Sequence, residues 1–260
     1  MSLDRSLSSI VRRDRAVTAA GLVTLTLLAW LYLVRLHGEM AGMADMGMAM
    51  EAWTAHDALT AVVMWAVMMI AMMLPSAAPM ILMFAALNRT RRAEARPPHV
   101  NTALFVAGYL VIWGGFSVVA AGAQGALQHA ALMAPQALAV GPRAGAAFLV
   151  IAAVYQVTPF KYACLARCQS PLGFLMAEGR EGDAGAFVMG VRHGLFCLGC
   201  CWMLMALLFV GGVMNLAWVG VLAGFVLLEK LVALDPPWVR VVQGPRTSTP
   251  ARPRLVSYPR

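Results

Sequence analysis

Residues 58–87 read ALTAVVMWAVMMIAMMLPSAAPMILMFAAL, a run without a charged side chain. An apolar segment longer than about 18 residues is typical of a transmembrane helix. The composition agrees, since 61% of the 260 residues are hydrophobic and only 12% are charged, whereas soluble domains carry about 25% charged residues. The sequence therefore predicts an integral membrane protein rather than a water-soluble globule.

Other apolar stretches flank this run, and together they predict spans at residues 16–34, 58–87, 101–122, 145–160, 186–210 and 213–234. Backbone groups in lipid must bond within their own segment, and no stretch alternates like a barrel strand. We therefore expect an all-α, polytopic membrane helix bundle of about six transmembrane helices over residues 1–235, followed by a disordered tail over residues 236–260. The first stretch also has features of a signal peptide, but its length and the lack of a small-residue cleavage pattern favour an uncleaved anchor.

The net charge of +8 comes from short segments between the apolar stretches. The N-terminus, the second and fourth connections and the tail hold 17 of the 20 lysine and arginine residues. Short basic segments remain cytoplasmic, so we expect both termini in the cytoplasm. The basic residues do not form one face interleaved with aromatics, so nucleic acid is not an expected partner.

The first connection, residues 36–56, is predicted to lie outside and is rich in methionine. Its sulfur and imidazole groups belong to His37, Met40, Met43, Met46, Met48 and Met50. Soft thioether sulfur selects Cu(I), so this segment is a candidate copper-binding loop. The alternative is a mobile loop whose methionines touch lipid headgroups or another subunit.

The second span continues the methionine pattern. On a helix of 3.6 residues per turn, several of these side chains share a face, which predicts either a sulfur ladder through the bilayer or ordinary flexible packing. The methionines concerned are Met64, Met68, Met69, Met72, Met73, Met80 and Met83. Pro75 and Pro79 remove two backbone donors from the same helix, so we expect a kink there.

All five cysteines fall between residues 164 and 201, and none lies in a segment predicted to be outside. An odd number in this location does not favour a disulfide framework. Cys164 and Cys168 are four residues apart, and His193, Cys197 and Cys201 follow the same step, with Cys200 beside them. Antiparallel packing of the two helices would bring these sulfurs and the imidazole together. Thiolates bind Cu(I), whereas four sulfur or nitrogen ligands would suit Zn(II), and each cysteine alone is equally a small buried apolar residue.

Polar residues interrupt two of the predicted spans. Gln156 and Thr158 precede Pro159, and they are interpreted as support for a metal site or as bonds to a neighbouring helix. Glu229 and Lys230 enter the last span. Adjacent positions do not face each other on a helix, so each is expected to find a different partner or to reach towards the headgroups.

Three motifs in order resemble a bacterial family of predicted metal-binding integral membrane proteins, over about residues 55–235. The motifs are AMMLPSA at residues 71–77, YQVTPFKYACLARC at 155–168 and CLGCCWMLM at 197–205. Some relatives are linked to supplying copper to copper enzymes, so the resemblance implies a handling or delivery role. The family's cysteine motif falls on Cys164, Cys168, Cys197, Cys200 and Cys201, while the methionine-rich segment lies outside the similarity.

These observations predict a membrane protein that collects Cu(I) at the outer methionines and holds it at inner thiolates, or runs the reverse route. The expected partners are the lipid bilayer, the metal ion and a periplasmic or membrane copper protein, with zinc as the alternative metal. The chain has no nucleotide-binding motif, and we do not expect an enzyme. The rival interpretations are a structural or assembly subunit without metal and a membrane thiol oxidoreductase that uses Cys197, Cys200 and Cys201.

Overall fold

The computed structural model of the protein describes residues 2–45, 54–91, 98–134 and 138–232, and these residues are almost entirely helical. A short antiparallel ladder pairs Met133 with Val140 and Ala134 with Ala139. The elements in chain order are α1 (Ser2–Asp45), α2 (Ala55–Arg91), α3 (Pro98–His129), β1 (Met133–Ala134), β2 (Ala139–Val140), α4 (Pro142–Gln156), α5 (Pro159–Gln169), α6 (Pro171–Glu178), α7 (Gly182–Ala206), α8 (Leu208–Gly211) and α9 (Leu216–Leu231). The predicted all-α class is confirmed.

The described residues contain four helical stretches that are long and apolar enough to cross a membrane: Arg15–Met40, Ala55–Asn88, Asn101–His129 and Gly182–Gly211. A fifth arises if α4 and α5 are counted as one span bent by 65°. The predicted sixth span contains α9, whose 16 residues fall short of the roughly 20 that a full crossing needs. The described residues thus contain four or five such spans, and the predicted six are not confirmed.

Prolines decide where the predicted fourth span bends. Helix α4 ends at Gln156, and after a break at Val157 and Thr158 the chain becomes helical again at Pro159 and remains so to Gln169. Proline has no N–H and is well placed in the first turn of a helix, and the Thr158 side chain accepts a hydrogen bond from the Lys161 backbone N–H. By contrast, α2 runs on through Pro75 and Pro79 as one helix.

The first helix ends later than the sequence predicted, inside the segment expected to be a loop. Helix α1 extends to Asp45, so the first half of the predicted loop at residues 36–56 is helical. Alanine, methionine and glutamate favour helix, and Gly38 and Gly42 cost about 1 kcal/mol each, which is too little to end it. Residues 46–53 lie outside the described part of the chain.

Helices α2 and α7 form the centre of the bundle. Half of the apolar window of α2 and 56% of that of α7 are buried, against 17% for α1. Glycines bring α7 against α3, because methyl groups at Gly108 and Gly190 would overlap the carbonyl oxygens of Phe187 and Phe105. Small residues permit such close backbone approach between apolar helices. The contact places the inner face of α3 next to the cysteine-bearing face of α7.

We expect Gly190→Ala to destabilise the protein by about 1–3 kcal/mol, because the added methyl group forces two helix backbones apart. The comparison variant is Gly115→Ala on α3, where a methyl group would meet nothing within 4 Å, and where alanine should be neutral or stabilising by about 0.5–1 kcal/mol. Thermal unfolding of the detergent-purified variants measures both effects. Equal melting temperatures for the two variants would contradict the close contact.

Candidate functional site

Cys197 lies at the centre of the bundle, where α2, α3, α7 and α9 meet, and it is 0% exposed. The Lys230 ammonium from α9 donates to its sulfur at 2.9 Å. The Tyr109 hydroxyl oxygen from α3 lies 3.1 Å from the same sulfur. A cation at this distance stabilises the thiolate, which is the form of cysteine that binds metal ions. The geometry therefore provides a buried thiolate held by an ammonium group.

Helix α2 supplies the remaining partners of this lysine and tyrosine. Lys230 also donates to the Ser76 hydroxyl at 2.8 Å, and Ser76 in turn donates to the Met73 carbonyl at 2.8 Å. The Tyr109 hydroxyl donates to the same carbonyl at 3.1 Å. Because the two hydroxyl groups bond to one point of α2, the positions of the cation and the sulfur are fixed relative to that helix.

A second sulfur pair lies one turn along α7. The Cys201 sulfur is 3.8 Å from the Met73 thioether sulfur, and the Cys200 and Cys201 thiols donate to the Cys197 carbonyl at 3.1 and 2.8 Å. Cys168 of α5 interacts with the thiols of Cys197 and Cys200. Three helices thus contribute sulfur to one buried region, and one of these atoms is a thioether.

The other predicted cysteine and histidine lie beside this group rather than within it. Cys164 is buried, and its sulfur faces Gly199, where a methyl group would stand 2.7 Å from it. His193 is 2% exposed, and its ring lies against Phe105, Tyr109 and Phe174. Among the described residues, no three or more histidine, cysteine, aspartate or glutamate side chains are placed to hold one metal ion. That statement does not cover methionine, whose thioether sulfur is a further possible ligand and lies next to Cys201 in the case of Met73.

The predicted outer ligands are only partly within the described residues. His37 is exposed and Met40 is half-buried, both on α1. Met43 lies on the same helix, but its side chain falls outside the description, and Met46, Met48 and Met50 lie wholly outside it. The predicted methionines of α2 are described, and all but one are buried: Met64, Met68, Met69, Met72, Met73 and Met80, with Met83 exposed.

A buried ion pair next to the site holds α5 against α9. Lys161, which is 1% exposed, pairs with Glu229 and donates to Gln156. Gln156 donates to Glu229 at 3.2 Å. Glu229 and Lys230 therefore do have different partners, as predicted, and Gln156 bonds to a neighbouring helix.

Sequence reasoning missed Tyr109 as a partner of Cys197 and Ser76 as a partner of Lys230. Each is a polar residue within an apolar stretch of its helix, and that polarity is the signal that the sequence offers. Lys230 was singled out for the same reason, but its partner Cys197 lies 33 residues away on another helix. A contact of this kind depends on how the two helices are rotated, which helical spacing alone does not give.

A family model described as "PpoB2: Copper chaperone" matches residues 62–245, which is more than half of the chain. The protein belongs to the PpoB2 copper chaperone family. The predicted relation to a copper-handling family is thereby confirmed. No curated protein matches the chain, and no solved structure matches it.

The PpoB2 match covers every residue of the sulfur region and its surroundings. It includes the five cysteines, the methionines of α2 from Met64 onward, and the lysine and tyrosine that contact Cys197. It begins after the methionine-rich segment that contains His37 to Met50. The matched part of the chain therefore includes the buried sulfur region and leaves out the methionine-rich segment.

We expect Lys161→Met to destabilise the protein by about 2–4 kcal/mol, because it leaves the Glu229 carboxylate, whose side chain is only 13% exposed, without its cation. The double variant Lys161→Met with Glu229→Gln should recover most of this loss, since glutamine still bonds to Gln156. As a control, Arg192→Met breaks the pair of Arg192 with Glu178, in which the arginine is 42% exposed, and should cost less than about 1 kcal/mol. Denaturant or thermal unfolding of the purified variants measures all three.

Proposed function

We propose that this protein is a multi-pass membrane copper chaperone that holds Cu(I) at Cys197, Cys201 and Met73 and delivers it to a copper protein. The observation that carries the proposal is the buried Cys197 sulfur, paired with the Lys230 ammonium and one helical turn from the sulfur pair of Cys201 and Met73. Membership of a copper chaperone family indicates that the metal is copper, and the sulfur ligands indicate that it is Cu(I). Thiolate and thioether ligands together favour Cu(I) over harder cations.

The ligand types argue for copper over zinc. Structural zinc sites take four ligands, almost all thiolate or imidazole. Here a thioether is the nearest sulfur to Cys201, and thioethers are soft ligands suited to Cu(I). Cys168 and Cys200 stand within reach of Cys197 as alternative thiols. Exchange among neighbouring sulfurs lets a chaperone hold the ion without trapping it.

Lys230 has a definite part in this proposal. A lone thiolate in apolar surroundings is costly, and pairing with a cation compensates for that cost. In the metal-free protein the ammonium of Lys230 supplies the positive charge. When Cu(I) binds, it supplies positive charge at the same sulfur, so the lysine keeps the ligand ionised between one copper ion and the next.

The proposed setting is a bacterial inner membrane with both termini in the cytoplasm. The long apolar helices support a membrane location, and the clustering of arginine in alternate connections supports the orientation. In this arrangement the methionine-rich segment faces outward and collects copper before it reaches the buried thiolates. The receiving partner is a membrane copper protein.

Enzymatic thiol chemistry is a weaker account of the same residues. A thiol oxidoreductase needs a paired and accessible Cys-x-x-Cys, whereas Cys197 and Cys200 are at most 1% exposed. Their thiols are directed to helical partners and not to a surface. A structural subunit without metal would need no buried ammonium at a sulfur, so we also propose that the protein is not an enzyme and not merely an assembly subunit.

The central test is elemental analysis of the detergent-purified protein, expressed with added copper and, separately, with added zinc. We expect stoichiometric copper in the wild type and a loss of most of it in Cys197→Ser and Cys201→Ser. Cys164→Ser is the matched control, because Cys164 faces Gly199, and it should retain copper. Met73→Leu should keep the ion but weaken Cu(I) affinity about tenfold, or roughly 1.4 kcal/mol.

Two outcomes would reject the proposal. Copper at background level in the wild type would leave the structural-subunit account standing. Stoichiometric zinc in place of copper, under both metal supplies, would replace Cu(I) with Zn(II). If Cys164→Ser lost copper as completely as Cys197→Ser, the site would be the larger five-cysteine group that the sequence predicted.

The outer methionines give a separate prediction. Changing Met40, Met43, Met46, Met48 and Met50 together to leucine removes the soft ligands but keeps the apolar volume. We expect less copper in protein from copper-limited cells and an unchanged copper content in protein from copper-rich cells, because the segment collects the ion and does not store it. Met176→Leu, at a methionine that is 74% exposed, is the control. Equal loading under copper limitation would exclude a collecting role.

A further inference from the structure

His193 is a buried histidine whose side chain makes no hydrogen bond. It is 2% exposed, and neither of its ring nitrogens has a hydrogen-bond partner. Its ring centroid lies 5.6 Å from those of Tyr109 and Phe174 and 6.0 Å from that of Phe105. Buried polar groups are nearly always paired, and an unpaired one costs about 1–3 kcal/mol. A protein that keeps such a group has left a nitrogen lone pair available as a ligand.

The histidine belongs to a line of donor atoms along α7. Met189, His193, Cys197 and Cys201 follow one another at steps of four residues, and all four are buried. Residues four apart share a helix face and are separated by about 6 Å along the axis. The helix thus presents thioether, imidazole, thiol and thiol in order along a buried stripe that turns gradually around its axis.

A cavity of about 120 Å³ lies at the methionine end of this line. Its wall includes Met189, Phe84, Leu175, Asn88 and Arg180, at the end of the bundle where α2 finishes and α7 begins. Phe84 stacks on Phe105 at 4.7 Å, and Phe105 in turn lies against the imidazole. His193 is therefore located directly behind the cavity wall.

Helix α2 contacts both ends of the row of donor residues on α7. This helix places Met73 beside Cys201 and Phe84 in the cavity wall with Met189. It therefore runs antiparallel to α7 over the whole distance. Met80, which is 1% exposed, lies between those two levels and adds a further buried thioether to the same stretch of the bundle.

We propose that Cu(I) leaves the thiolate site through His193 and Met189 and is handed over at this cavity. The inference rests on the proposed copper function and adds the exit route. Each step is a ligand exchange in which copper remains Cu(I): the bonds to the Met73 and Cys201 sulfurs break, with Cys201 regaining the proton it lost on binding, and the bond to the Cys197 sulfur breaks as a bond to a neutral imidazole nitrogen forms. The imidazole bond is then exchanged for one to the Met189 thioether. The emptied thiolate keeps the Lys230 ammonium as its counter-ion.

The order of ligands suits delivery. A thioether is a weaker ligand than a thiolate, so an ion at Met189 is readily taken by stronger ligands of a recipient that reaches the cavity. The aromatic rings around the imidazole exclude water from the middle of the route and tolerate a passing cation on their faces. Copper is thus held at the cysteines of α7 and released at Met189 of the same helix.

The test is the rate at which the copper-loaded protein in detergent transfers Cu(I) to bathocuproine disulfonate, followed by the absorbance of the chelate. We expect His193→Leu to load with the same amount of copper as the wild type. It should release that copper at least about tenfold more slowly, because a donor on the route is missing. His193→Met restores a soft ligand at the same place and should recover most of the rate. His129→Leu, at an exposed histidine on α3, is the control and should release copper normally.

Met189→Leu provides a second, nearly isosteric variant that keeps the test decisive if His193→Leu does not fold. It should also load fully and release slowly, whereas Met176→Leu should match the wild type. Full loading with wild-type release rates in the His193 and Met189 variants would overturn the exit route while leaving the thiolate site intact. A wild type that binds no copper would instead overturn the proposed function itself, so the two failures are distinguishable.

Discussion

A sulfur atom and an ammonium group, both buried among apolar helices, meet 2.9 Å apart where Cys197 of α7 faces Lys230 of α9. Neither charge is tolerable alone in such surroundings, and a buried pair is favourable only when further hydrogen bonds satisfy it. Tyr109 and Ser76 supply these bonds, and both also bond to the Met73 carbonyl. The requirement to pair one lysine therefore fixes how α2, α3, α7 and α9 are placed around the sulfur.

The helix that carries this lysine is held from its other side by a second charge. Glu229, the preceding residue, pairs with Lys161 of α5, and Gln169 of α5 donates to the Glu229 carbonyl at 2.7 Å. Helix α5 also carries Cys168, which interacts with Cys197 and Cys200. The bend between α4 and α5, where Pro159 restarts the helix, thus determines both a buried ion pair and the position of a thiol. The Lys161–Glu229 ion pair and the candidate ligand Cys168 therefore both depend on where α5 lies.

Much of the fold was predictable from the sequence because apolar length and proline positions act locally. The all-α class and the long apolar helices follow from composition alone. The predicted six spans are not confirmed, since α9 has 16 residues, and the end of the first helix was misplaced, since α1 continues through Gly38 and Gly42 to Asp45. Helix ends depend on weak local preferences that packing overrides.

For the candidate site, the sequence by itself determined the ligand chemistry: the sulfur residues, their four-residue steps and two ionisable residues in the last span are visible without a structure. It also predicted one group containing all five cysteines and His193. In the tertiary structure Cys164 faces Gly199 and the His193 ring lies among aromatic rings, beside the sulfurs around Cys197. Only the tertiary structure placed Lys230 at the sulfur, because that contact joins helices 33 residues apart. Helical periodicity tells which residues share a face, whereas the direction in which that face points is decided by close packing, here by the glycines that set α3 against α7.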